Sequence, residues 1–124
     1  MIRSARFAFG TILCILAGFA CANAASADDV ARGIEVLLAV GPEGKGHREA
    51  QAAWRTVSTA PAGSLPELLA ALDKASPLAA NWLRSAVETI ADKVPADEQK
   101  PVAVQLEKFV TEVRHVPTAR RLAY

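Results

Sequence analysis

Apolar residues return at helical spacing in segment after segment of this chain, and no stretch alternates apolar with polar residues as a half-buried strand would. In "DDVARGIEVLLAVG", Val30, Ile34, Leu37 and Leu38 share one helical face. Asp28 and Asp29 stand at its N-terminus, where the helix dipole favours negative charge, and Gly41-Pro42 stops it. Gly33 inside this helix costs about 1 kcal/mol relative to Ala, so the helix must draw on packing. "HREAQAAWRTVSTA" places Ala50, Ala53, Trp54 and Val57 on one side. In "SLPELLAALDKA", Ser64 and Glu67 have capping-box spacing before a stripe of Leu65, Leu68, Leu69 and Leu72. "SPLAANWLRSAVETIADK" offers Ser76 as N-cap, Pro77 in the first turn and a face of Trp82, Leu83, Ala86, Val87 and Ile90. "PVAVQLEKFVTEVRH" aligns Val102, Leu106, Phe109, Val110 and Val113.

These segments predict an all-α fold of five helices of about 11 to 16 residues, with a sixth begun at Pro117. Short connections favour antiparallel neighbours, arranged as a closed bundle or as a stack of helical hairpins. Periodicity does not separate the two. The run after Pro117 does: it opens as a helix, with Leu122 and Tyr124 as first apolar positions, and the sequence stops about two turns later. An open solenoid can be cut anywhere, so a HEAT-like array or its N-terminal cap is expected.

The first residues carry a different signal. "MIRSARFAFGTILCILAGFACANA" has Arg3 and Arg6, an apolar run of 14 residues from Phe7 to Ala20, and a small-residue cleavage pattern. The run is shorter than the roughly 20 residues that span a bilayer. Residues 1–24 are expected to be a cleaved signal peptide, with cleavage after Ala24 or after Ala27, and residues 25–124 the exported helical domain of the periplasm or exterior. Lipidation at Cys21 is the rival, though the preceding Gly-Phe-Ala lacks the usual Leu. Removing residues 1–24 leaves 12 Lys+Arg against 13 Asp+Glu, a net charge of −1, with no global pull toward nucleic acid or anionic lipid. No membrane association is expected after cleavage. Both cysteines, Cys14 and Cys21, leave with the signal, so the exported domain has no disulfide and must stand on its apolar core.

No catalytic, cofactor-binding or metal-binding set is legible. His47 and His115 are the only histidines, without metal-ligand spacing, and read as surface or cap residues. "GPEGKG" lacks the G-K-[ST] ending of a phosphate loop, and its glycines read as a helix stop and a turn. Asn81, a poor helix former beside Trp82, is expected to bond a loop backbone across the hairpin, with the "GPEGKGH" turn as one candidate. Arg114, His115, Arg120 and Arg121 gather positive charge that reads as a solvated face, paired with Glu107 or Glu112.

"GPEGKGHREAQAAWRTVS", "LPELLAALDKASPLAANWLRSAVETIAD" and "LEKFVTEVRHVPTARRLAY" resemble the N-terminal region of secreted HEAT-repeat proteins of planctomycete-type bacteria. The family's G-x-E-G-x-G-H, A-x-x-x-W, N-W-L-R and R-H-x-P-x-A-R-R-L-A-Y correspond here to Gly41–His47, Ala50–Trp54, Asn81–Arg84 and Arg114–Tyr124. The resemblance spans about residues 30–124, and it implies further repeats past Tyr124, so that this sequence is a truncated or short form. Family members often carry Asp, a natural N-cap, before the proline of R-H-x-P. Here Val116 takes that place, so fraying of residues 116–124 is expected.

The resulting expectation is a non-catalytic protein-interaction or scaffold module of the cell envelope. It would use no cofactor, and it would bind a protein partner or itself through an exposed C-terminal helical end. A stand-alone periplasmic helical-bundle binding protein, or an enzyme accessory subunit, is the alternative.

Overall fold

The computed structural model describes residues 24–124, and the expected signal segment lies outside them except for its last residue. Among the described residues every regular element is a helix: α1 (Ala27–Leu38), α2 (His47–Val57), α3 (Leu65–Ala71), α4 (Pro77–Ala91), α5 (Gln99–Thr111) and α6 (Pro117–Ala123). None is long and apolar enough to cross a membrane.

Local chemistry accounts for most boundaries. The Ser26 hydroxyl accepts from the Asp29 N–H at 3.2 Å and donates to the Asp29 carboxylate at 2.7 Å, a compact N-terminal cap for α1. Ser76 caps α4 as its sequence predicts, its Oγ accepting from the Ala79 N–H at 3.2 Å. Between α1 and α2 the chain turns through left-handed backbone at Glu43, Gly44 and Gly46, and the Gly41 N–H donates to the Lys45 carbonyl at 3.0 Å. Two glycines suit such a turn, while Glu43 holds a conformation that costs a side-chain-bearing residue about 1 kcal/mol.

The capping box expected at Ser64 and Glu67 does not form. Residues Ala62–Ser64 are wound into a 3₁₀ turn that runs straight into α3, so the Ser64 backbone is already helical and its hydroxyl caps nothing. A second 3₁₀ turn, Leu72–Lys74, closes α3. The predicted single helix is therefore a two-turn α-helix with tightened ends.

Consecutive helices pack in pairs: α1 with α2, α3 with α4, α5 with α6. The first pair leans chiefly on α4, while the third leans on α3 and the turn after it. The core runs through all three pairs. Val30 and Leu37 of α1, Ala50 and Val57 of α2, Leu65, Leu68 and Leu69 of α3, and Leu83 and Ala86 of α4 are almost wholly removed from water. Ala119 of α6 is as deeply buried.

Gly33 is where α1 meets α2. A Cβ there would collide with Cγ2 of buried Val57, with the Ala53 carbonyl also near. The residue that weakens the isolated helix is thus the one that lets the pair close.

The third pair follows its sequence least well. Of α5, only Phe109 is buried; Val102, Leu106 and Val110 are half-buried, and Val104 is 65% exposed. The helix stops at Thr111 because Glu112 turns extended, at φ −77° and ψ 100°. Val113, expected on the buried stripe, falls in the turn beyond and is exposed.

Candidate functional site

Among the described residues, the turn from α5 to α6 gathers the one cluster of polar side chains that joins distant parts of the chain. The extended backbone at Glu112 swings residues 112–116 back over α3, bringing His115 to Asp73 in the 3₁₀ turn that closes α3. The His115 ring is 8% exposed. Its Nδ1 lies 2.6 Å from Asp73 Oδ2, and because an ionised carboxylate can only accept, Nδ1–H is the donor. Its Nε2 lies 3.3 Å from Glu112 Oε2, which also accepts from the Arg114 guanidinium at 2.6 Å. An imidazolium would donate from both nitrogens; a neutral ring would donate from one and set a lone pair against a carboxylate with the other. The ring also stacks on Phe109, with centroids 4.1 Å apart and planes 13° from parallel.

The second oxygen of Asp73 does separate work. Its Oδ1 accepts the Val116 N–H at 2.9 Å. Val116 is the N-cap of α6 and has no side-chain cap of its own. A carboxylate from 43 residues away in the sequence thus tethers the start of α6, where the local side chain supplies no cap. α6 is formed and packed through Ala119 and Ala123, in place of the expected fraying.

Burial raises the Asp73 pKa, but the His115 hydrogen bond, the Val116 N–H and the nearby charges of His115 and Arg114 outweigh it and hold the carboxyl below its usual range.

The cluster is a latch. Its carboxylates and imidazole spend their hydrogen bonds on one another and on the turn backbone. Among the described residues no group of three or more His, Cys, Asp or Glu side chains is arranged to hold a metal ion. The cleft beside the latch, about 410 Å³, is bordered by Glu67, Gln105, Lys108 and Arg114 with His115 at its wall. Four further clefts among the described residues have volumes of about 280 to 420 Å³, comparable to this one.

The expected positive face is only partly as read. Arg114 pairs with Glu112, while His115 is a buried member of the latch instead of a surface residue. The His115–Asp73 contact joins residues 42 apart in sequence, beyond any local spacing rule. Arg120 and Arg121 have no ion-pair partner among the described residues, and the Arg120 Nε is buried without a hydrogen bond.

The other histidine, His47, is exposed in the first turn of α2 and meets Trp82 edge-on, with centroids 5.3 Å apart. Asn81 does not make the expected bond across the hairpin: it is exposed and has no side-chain hydrogen bond among the described residues. Trp82, one position on, is the residue that meets the start of α2, through His47. The indole nitrogen of Trp54 is buried with no hydrogen-bond partner among the described residues.

A second feature of the third pair is a groove between α5 and α6. Val104, Leu106 and Val110 line it with Tyr124, beside Glu107, over about 410 Å³. Tyr124 is fully exposed, while Leu122 is half-buried and packs against the core. Around Val110 and Tyr124 the groove continues into a cup formed with Pro117, Arg120 and Arg121. Compared with known proteins, the chain is matched by no family model, no curated protein and no solved structure.

Proposed function

We propose that this chain is a non-catalytic protein-interaction module, built of HEAT-like helix pairs and exported to the cell envelope. The observation that carries the reading is the outer face of α5 and α6, where Val104 and Tyr124 stand exposed along a groove beside half-buried Leu106 and Val110. An apolar stripe on a helix is ordinarily covered by the next element. A face of this kind is what a further helix pair or a separate protein would cover. Stacked helix pairs extend such a surface from one pair to the next. The resemblance to secreted HEAT-repeat proteins agrees with this reading, and the apolar leader with its Ala22-Asn23-Ala24 site supports export.

The latch fits the same role. It holds the α5–α6 turn by polar contacts, leaving the apolar side of the pair free for a partner.

A photo-reactive amino acid placed at Val104 tests the reading in the intact cell. Cross-linking to protein from Val104, and none from the same probe at exposed Asp97, is the expected result. No cross-linked product from either position would overturn it. N-terminal sequencing of the exported protein tests the leader; a mature chain that retains Met1 would contradict it.

A further inference from the structure

We infer that the latch is proton-gated: it stands shut while a charged His115 ring holds Asp73 with one nitrogen and Glu112 with the other, and losing one ring proton releases its Glu112 side. The inference concerns the turn itself and does not depend on what covers the α5–α6 groove.

The two sides of the ring differ in what they need from it. Nδ1–H donates to Asp73 Oδ2 at 2.6 Å whether the ring is charged or neutral, since one tautomer of the neutral ring keeps that proton. Nε2, 3.3 Å from Glu112 Oε2, forms an ion pair only while it too carries a proton. Without that proton its lone pair faces a carboxylate oxygen, and attraction turns to repulsion. The ring is 8% exposed, so water screens this contact less than it would at an open surface. Stacking on Phe109 holds the ring in place, and Glu112 is the part free to yield. Its side chain is 29% exposed and keeps the Arg114 guanidinium, 2.6 Å away, as a partner.

Charged side chains face the ring from each element around it. Asp73 stands on the turn closing α3, Glu67 on α3, Lys108 on α5, and Glu112 and Arg114 on the α5–α6 turn. α6 sets its own arginines, Arg120 and Arg121, on a different cleft. Carboxylates, lysines and arginines ordinarily keep their charge between about pH 5 and pH 8, the window in which a histidine ordinarily changes its own. Asp73, held below the usual carboxylate range, is ionised throughout that window. The imidazole is therefore the member of the latch whose kind titrates there. Glu112 and Arg114 line the cleft of about 410 Å³ beside the latch, so the ring's charge sets how firmly that wall is held.

Amide exchange resolved by NMR separates the two sides. The His115 N–H donates to the Glu112 carbonyl at 3.2 Å and reports on the Glu112 side. The Val116 N–H donates to Asp73 Oδ1 at 2.9 Å and reports on the other. Protection is expressed relative to an unstructured chain at the same pH. The His115 N–H should be about fivefold better protected at about pH 5 than at about pH 8, and the Val116 N–H equally protected at both. Glu112→Gln puts a neutral amide in place of the carboxylate, which neither attracts the charged ring nor repels the neutral one, and should abolish the difference. His47→Gln removes the other histidine, exposed in the first turn of α2, and should leave the difference intact. Equal protection of the His115 N–H at the two pH values would overturn the inference. So would a loss at Val116 as large as at His115, a Glu112→Gln variant that keeps the full difference, or a His47→Gln variant that loses it.

Discussion

The α1–α2 pair and the α5–α6 pair are built from similar sequence patterns but held by different forces. In the first, the apolar stripe of α1 is buried much as its spacing foretells, and steric fit at Gly33 and Val57 sets how closely the helices approach. In the last, α5 buries one residue fully, and the turn is fastened by an imidazole between two carboxylates. A pair fastened by a few polar contacts can leave its apolar side uncovered; a pair fastened by its apolar side cannot. That difference is why the exposed end of the molecule is the candidate for binding.

The strongest way to break the comparison is to remove the latch. His115→Ala deletes the Asp73 contact and the stack on Phe109 together and should cost about 3 kcal/mol in denaturant unfolding. A cost under about 0.5 kcal/mol, as for an ordinary surface change, would show that the latch holds nothing. Gly33→Ala should cost about 2 kcal/mol, since overpacking against Val57 outweighs the better helix propensity of Ala. If it stabilises instead, the first pair is not sterically set. Ser26→Ala, which removes only the cap of α1, should cost about 1 kcal/mol.

The smallest effect is in the pH dependence. A carboxyl whose folded pKa is lowered gives its full stabilisation above its unfolded value, about 3.9, and loses it as the pH falls through the lower folded value. Unfolding curves from pH 6 downward should therefore lose part of their acid-side slope in Asp73→Asn. Asp29 is also lowered, chiefly by the Ser26 hydroxyl, with burial opposing and Arg32 assisting. Asp29 stands in the open on α1, so Asp29→Asn should flatten the curve less than Asp73→Asn does.

Helical class, the cap at Ser76 and the buried faces of α1, α3 and α4 were legible because each depends on residues within a few positions of one another. The pairing of Arg114 with Glu112 was legible for the same reason. The sequence pattern misled at Ser64, where backbone geometry won over side-chain spacing, and at Val113, where the helix ended two residues short of it. His115 was misread because its environment comes from Asp73, far along the chain. A buried polar contact between distant segments leaves no periodic trace. Val116, which offers α6 no capping side chain, was the one local hint that the helix needed help from elsewhere, and it pointed to fraying instead of to a distant carboxylate.

Amide hydrogen exchange on the Asp73→Asn variant tests most directly whether the third pair hangs on its polar latch. Protection should fall across residues 112–124 while α1 and α2 keep their unmodified rates. Equal loss of protection in all six helices, or no change at α6, would contradict it.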